Sequence, residues 1–465
     1  MRAVICVSLM WLAGLGRTAF ASSDSVDAYA EGELKKRGVP GMSIAIVRDG
    51  KVEKAKGYGL ADVEHKVPAT ERTVYQWASI TKQFTAEAIM LLVQDGKLRL
   101  EDRIAQHYTN APAGWSNVTI RHLLSHSSGI KNFVELPVFR EDVRKDYKPE
   151  EFIGHIRDLP LDFEPGDGSK YSNTAYYLLG LVIEIVSGKT YADFLASRIF
   201  GPLGMSTARV NHQFELITNR ATGYLNVSNT LRRDEFVSVS QVFSGGGIVG
   251  TVLDLARWDA ALYTERLLPK SAREIMWTAN RLNNGKTTQY GYGWRVGEIR
   301  GHRFVAHSGR NPGFTTHILR LLDDKLTVIV LCNGLGDPES LTRSIASLYV
   351  PGLTVATMEP QPDPTPALTR RLERCLDELA EKRDSEILTP EFRNSFSRSR
   401  RRYNDLVDDL KDKKSFTFIM SEPPRRRTPN VVRVNFYRLG ISTGARVYMF
   451  ALTADGQIAE LEMEE

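Results

Sequence analysis

Apolar positions recur with helical period from residue 80 onward: Ile80, Phe84, Ala88, Leu91 and Leu92, ending at Asp95-Gly96. That spacing predicts one buried-face helix with its stop signal in place. A second apolar run, Ala175 to Val186, follows the turn-forming Phe163-Glu164-Pro165-Gly166. Nearer the ends the pattern shortens. Residues 41–47 and 51–57 read as strands around Asp49-Gly50, a hairpin signal, and residues 315–321 and 326–331 as a pair around Asp323-Asp324. Residues 351–366 hold Pro351, Pro360, Pro362, Pro364 and Pro366, which marks a semi-rigid linker. Beyond it Leu368, Leu372, Cys375, Leu376 and Leu379 line one stripe of an amphipathic helix. A helical or loop segment (389–410) and strands near 415–421, 430–439, 445–453 and 457–463 follow, the last two separated by Asp455-Gly456. Helices first and an antiparallel sheet after make a small α+β domain.

With 465 residues, 42% of them apolar, the chain has room for a large globular domain and a small second one. Its 61 basic and 56 acidic residues leave a formal charge of +5, which does not announce a nucleic-acid partner. The runs Arg400-Arg401-Arg402 and Arg425-Arg426-Arg427 read as a solvated helix face and a loop, with Asp405, Asp408 and Asp409 close to the first. Arg2, the apolar stretch from Ala3 to Gly16 and Ala19-Phe20-Ala21 before Ser22 fit a cleaved export signal over residues 1–21. That stretch is too short to prefer a spanning role, so no stable transmembrane anchor is expected and the product is periplasmic or secreted. Cys6 lies inside it. Cys332 and Cys375 read as small core residues, not as a disulfide.

Three short motifs carry candidate chemistry. Ser79-Ile80-Thr81-Lys82 puts a hydroxyl and an amine at i and i+3, on one face at a helix start, where Lys82 can activate Ser79 as a nucleophile. Tyr171-Ser172-Asn173 sits in a loop able to project into a site. His307-Ser308-Gly309 precedes the strand at 315. Decoys exist. Ser128-Gly129-Ile130-Lys131 repeats the first spacing, but Gly129 would interrupt the helix it needs; Tyr108-Thr109-Asn110 and Tyr224-Leu225-Asn226 repeat the second. His122 and His126 have the spacing of a metal pair without the accompanying Glu, so a structural or loop-ordering role is the better reading and no metal is expected. Gly245-Gly246-Gly247 lacks the Gly-Lys-Ser/Thr of a phosphate cradle and reads as a tight turn near the site.

With these motifs in this order, the chain resembles the serine β-lactamase and penicillin-binding-protein superfamily in its class C-like branch. The segment from Thr119 to Gly129, and Ser244-Gly245-Gly246-Gly247-Ile248 running on to Asp254-Leu255-Ala256-Arg257-Trp258, extend the likeness over roughly residues 25 to 350. The resemblance implies an α/β fold for residues 22–350: an antiparallel sheet shared by N- and C-terminal strands, flanked by helices, with a mainly helical insertion. Residues 367–465 loosely resemble the cystatin-like or NTF2-like appendages behind such hydrolases. By resemblance Ser79 is the nucleophile, Lys82 its base partner and Tyr171 a second proton shuttle. Asn173 anchors the substrate or Lys82. The backbone N–H groups of Ser79 and Arg310 form the oxyanion hole. His307 and Gly309 border the substrate, on an edge strand. His307 replaces the lysine usual in the family, a form closer to the esterase and D-aminopeptidase relatives. The implied activity is hydrolysis, without a cofactor, of a small ester or a D-amino-acid-containing peptide, cell-wall material included. A penicillin-recognising D,D-carboxypeptidase or β-lactamase, and an inactive ligand-binding module, remain as alternatives.

Overall fold

The structure, a computed structural model, describes residues 23–464 except 142, 229, 382, 399–403, 425–429 and 443. The export segment with Cys6 and the arginine runs at 400–402 and 425–427 lie outside the described residues. Seven antiparallel strands form the main sheet, in the order Val67–Pro68, Lys51–Asp62, Gly41–Arg48, Leu326–Cys332, Phe314–Leu321, His302–Asn311, Arg295–Ile299. Strands from both ends of the domain thus meet at its centre, Ile44 opposite Val330. The central strands are apolar on both sides because both faces of the sheet are covered. Helices Ser23–Arg37 and Pro338–Tyr349 pack on one face around Ile44, Val328 and Ile345. Helix Val252–Ala261 and the helical insertion cover the other, around Phe84, Trp258 and Ile329.

The helix expected from residue 80 runs Thr81–Gln94, entered through a 3₁₀ turn at Ala78–Ile80. Phe84 on its inner side stacks 5.3 Å from Trp77 and lies 4.6 Å from Trp258, which pins the helix end against the sheet. Strand His302–Asn311 includes His307 and precedes the strand expected at 315, which runs Phe314–Leu321. The outermost strand on this side is Arg295–Ile299, and along its inner neighbour it reaches from His302 to Ala306. From His307 onward the inner strand is a local edge, open toward the helical insertion.

Residues 366–464 build a second unit: helices Pro366–Ala380, Pro390–Arg398 and Asn404–Lys411 on an antiparallel sheet Ser415–Glu422, Val431–Ile441, Gly444–Thr453, Ile458–Glu464. Leu372, Cys375, Tyr437 and Phe450 belong to its core. The proline-rich stretch ahead of it is partly tied down: Val355 is buried against Ile419 and Phe436, and Arg438 donates to the Met358 carbonyl at 2.7 Å. Cys332 and Cys375 are both buried and free.

Candidate active site

A cleft of about 790 Å³ opens where the 3₁₀ turn, the loop before helix Asn173–Ser187 and the free end of strand His302–Asn311 converge. Ser79, Tyr171, Asn173, His307, Gly309 and Arg310 all line it. Local sequence explains each approach. Ala78 holds a φ of 49°, a left-handed turn that sets Ser79 at the positive end of its helix. Thr316 donates to the Trp77 carbonyl at 2.9 Å and ties that turn to the sheet. A side chain at 309 would overlap both Trp77 O and the Thr316 hydroxyl, so glycine is required for this contact. Ser172 caps helix Asn173–Ser187 by accepting from the Ala175 N–H, leaving Tyr171 just outside the helix.

Lys82 is fully buried, and its Nζ lies 3.2 Å from Ser79 Oγ, 2.8 Å from Asn173 Oδ1 and 2.7 Å from the Gly245 carbonyl. Burial holds its pKa well below the ordinary lysine value. The ammonium would donate to all three oxygens. The neutral amine has two N–H groups and one lone pair; with both N–H groups taken by the acceptors Asn173 and Gly245, the lone pair is left for the Ser79 hydroxyl. Asn173 is itself held by Asn132, whose Oδ1 accepts its backbone N–H at 3.0 Å. Tyr171 keeps 38% of its surface exposed. Burial of the rest raises the phenol above its usual range, opposed by a hydrogen bond with Ser79. Lys82 Nζ lies 4.9 Å from the Tyr171 ring centre.

His307 is buried. Its Nδ1 donates to the Ser308 carbonyl at 2.6 Å, so Nε2 accepts from the Tyr290 hydroxyl at 2.8 Å. Burial, then the nearby Lys82, pushes its pKa down to about 3, and the ring is neutral. Arg310 is next to the closing pair Asn311–Phe314 of a two-residue turn. Since bonded and unbonded pairs alternate along an antiparallel ladder, its N–H turns away from Thr315 toward the open edge, the side of the cleft.

The second Ser-x-x-Lys spacing builds no such site. Ser128 accepts from the Ile130 N–H, Lys131 pairs with Asp162, and Gly129 has a φ of 72°, outside any helix. His122 completes a helix cap with Thr119 and His126 packs under Tyr171. Among the described residues no cluster of three or more metal-ligating side chains occurs. The sequence did not point to the Gly245 carbonyl, Asn132 or Tyr290. A backbone acceptor has no residue-type signature. The three glycines placed a turn near the site, but not its contact with Lys82.

The Beta-lactamase family model matches residues 26–348. The chain is 35% identical over 297 residues to penicillin-binding protein 4* of Bacillus subtilis (strain 168), covering 61% of this chain and 65% of that protein. It is 30% identical over 325 residues to protein flp of Staphylococcus aureus (strain MRSA252), covering 67% and 63%. The match thus spans less than two thirds of these relatives' own lengths. The octameric penicillin-binding protein homologue from Pyrococcus abyssi superposes with a TM-score of 0.63 at 25% identity, over 96% of this chain and 100% of that one. D-amino acid amidase from Ochrobactrum anthropi SV3, complexed with D-phenylalanine, gives 0.60 at 28% identity over 70% and 96%. The chain belongs to the beta-lactamase family and has its serine-hydrolase fold.

Proposed function

We propose that this protein is an exported serine hydrolase that forms an acyl-enzyme on Ser79 and acts on an ester or a D-amino-acid-containing peptide. The contact set of Lys82 carries the reading: a buried amine with both N–H groups engaged keeps its lone pair for the serine proton. Ser79 Oγ gives its proton to Lys82 Nζ and bonds to the substrate carbonyl carbon. The resulting oxyanion accepts from the Ser79 and Arg310 N–H groups. When the intermediate collapses, the bond to the leaving group breaks and that group receives the proton from Lys82 through the Tyr171 hydroxyl. A water then attacks the acyl carbon, passes a proton back along the same path, and Ser79 leaves with its hydroxyl restored.

Tyr171, held neutral, suits a relay better than a standing base, which distinguishes it from Lys82. The fold shared with a D-amino acid amidase supports the D-configured substrate class. Similarity to a relative named as penicillin-binding favours a second reading, a D,D-carboxypeptidase or β-lactamase. Against strong activity of that kind stands His307: neutral, with both ring nitrogens engaged, it offers a substrate carboxylate no fixed positive charge. Residues 1–21 support export, and among the described residues no helix is long and apolar enough to cross a membrane.

Intact mass after a fluorophosphonate probe tests the reading. One adduct is expected on the mature protein and none on Ser79→Ala. Esters and D-amino acid amides, with L-amides and benzylpenicillin beside them, then assign the substrate class. A folded sample that takes up no probe overturns the proposal and favours a ligand-binding module.

A further inference from the structure

His126 takes no part in the proton path, yet it touches three consecutive residues of the loop that carries Tyr171. Its backbone carbonyl accepts the Lys170 N–H at 3.0 Å, its ring Nδ1 accepts the Ser172 N–H at 3.2 Å, and its ring centre lies 4.3 Å from that of Tyr171. A φ of 58° accompanies this arrangement, a left-handed conformation that non-glycine residues seldom adopt. Such strain persists only where the surroundings hold it. Here they do: Ser125 and Ser127 hydrogen-bond each other on either side of His126, and the Ser127 and Gly129 carbonyls accept from Gly166 and Asp162 of the same long loop.

The imidazole has one tautomer open to it. An amide N–H can be accepted only by a bare ring nitrogen, so Nδ1 is bare and Nε2 carries the proton. Burial, with Lys82 and His307 nearby, keeps a second proton off. The ring also lies 5.1 Å from Tyr176 and 4.5 Å from Tyr290. A histidine at this position meets two demands at once. Phe or Tyr would stack on Tyr171 without accepting from Ser172, and Asn would accept without stacking.

We propose that His126 is the positioning residue for Tyr171, holding the loop backbone on both sides of the phenol and its ring face so that the hydroxyl stays in register with Ser79 and Lys82. The proposal rests on the acyl-transfer reading, because only a proton relay needs its phenol fixed so closely. Tyr290, which bonds His307, touches the same imidazole, so one ring sets the relay and the far wall of the cleft together.

Full-length His126→Phe and His126→Asn test it, with His126→Ala in place of Phe should that variant fail to fold. Hydrogen exchange is read on the peptide containing Ser172, a measurement independent of activity. Exchange at Ser172 is expected to be faster in His126→Phe and near that of the unmodified protein in His126→Asn, whose carbonyl oxygen replaces Nδ1. On whichever ester or D-amide the screen yields, kcat is expected to fall on the order of 10–100-fold in His126→Phe with KM within about two-fold, and to recover in part in His126→Asn. Unchanged exchange, or an unchanged kcat in folded His126→Phe, overturns the proposal; so does a kcat that merely follows the melting midpoint in both variants. Absence of probe uptake at Ser79 in the unmodified protein would instead defeat the acyl-transfer reading, and the exchange data would still decide whether His126 holds the loop.

Discussion

Lys82 shows what one residue gains from its surroundings. In water its amine is protonated near neutrality, with a pKa of about 10.4. In the fold, burial shifts the balance toward the amine. On the proposed acylation the sign of the pH dependence follows: the unprotonated amine is present above the lowered pKa and is lost as pH falls through it. The rate of Ser79 acylation is therefore expected to rise with pH and reach a plateau well below pH 10. Lys82→Arg, whose guanidinium keeps its proton at every accessible pH, should lower that rate about 10²–10⁴-fold throughout. A wild-type rate still climbing steeply at pH 10 would contradict the assignment. The pair Ser79 and Lys82 was legible in the chain because i, i+3 spacing on a helix is a local rule. The charge state of Lys82 was not, since it follows from burial, and the segments that bury it are distant in sequence.

At the scale of elements, the site depends on how closely a strand can approach a helix start. The turn at Ala78–Ile80 and the strand at Gly309 touch backbone to backbone, held by the bond from Thr316 to Trp77 O. Gly309→Ala should push the two apart. A kcat loss on the order of 10–100-fold is expected. The accompanying loss of stability should be about 1–3 kcal/mol, read from a urea midpoint. Activity and midpoint that both match wild type would mean that the strand accommodates the methyl group by moving without consequence. Strand existence was readable from apolar runs at 315–321 and 326–331, and these match Phe314–Leu321 and Leu326–Cys332 closely. The strands at 295–299 and 302–311 were not assigned from the pattern. Arg295–Ile299 alternates polar and apolar residues only briefly, and His302–Asn311 mixes charge, glycine and apolar residues because one end lines a cleft.

For the molecule as a whole, the outer hairpin of the hydrolase meets the C-terminal unit. Arg300, at the tip of the outer hairpin, reaches Glu422 at 2.5 Å and lies 3.4 Å from the Met420 sulfur. Both partners of that ion pair are mostly shielded, with side-chain exposures of 16% and 20%. Arg300→Ala is expected to lower the calorimetric midpoint, with a loss of about 1.5–3 kcal/mol, the usual range for a charged hydrogen bond, while turnover of a small substrate stays unchanged. An unaltered midpoint would show that the two units are held by the apolar contacts around Val355 and Phe436 instead. Proline density marked the segment between them but not its attachment, because the groups that receive it, Ile419 and Phe436, lie well over fifty residues downstream.

By itself the sequence determined the helix that presents Ser79 and Lys82, the loop placement of Tyr171, the hairpin pairs at both ends and the family to which the chain belongs. These are written in local spacing, turn chemistry and short motifs, all of which act within a few residues. The tertiary structure alone decided that Lys82 is desolvated, that the Gly245 carbonyl and Asn173 engage its protons, that Arg310 turns its N–H to an uncovered edge, and that His126 grips the Tyr171 loop. Each of those depends on backbone groups or on burial. Neither has a residue-type signature, and both exist only once distant segments have packed together.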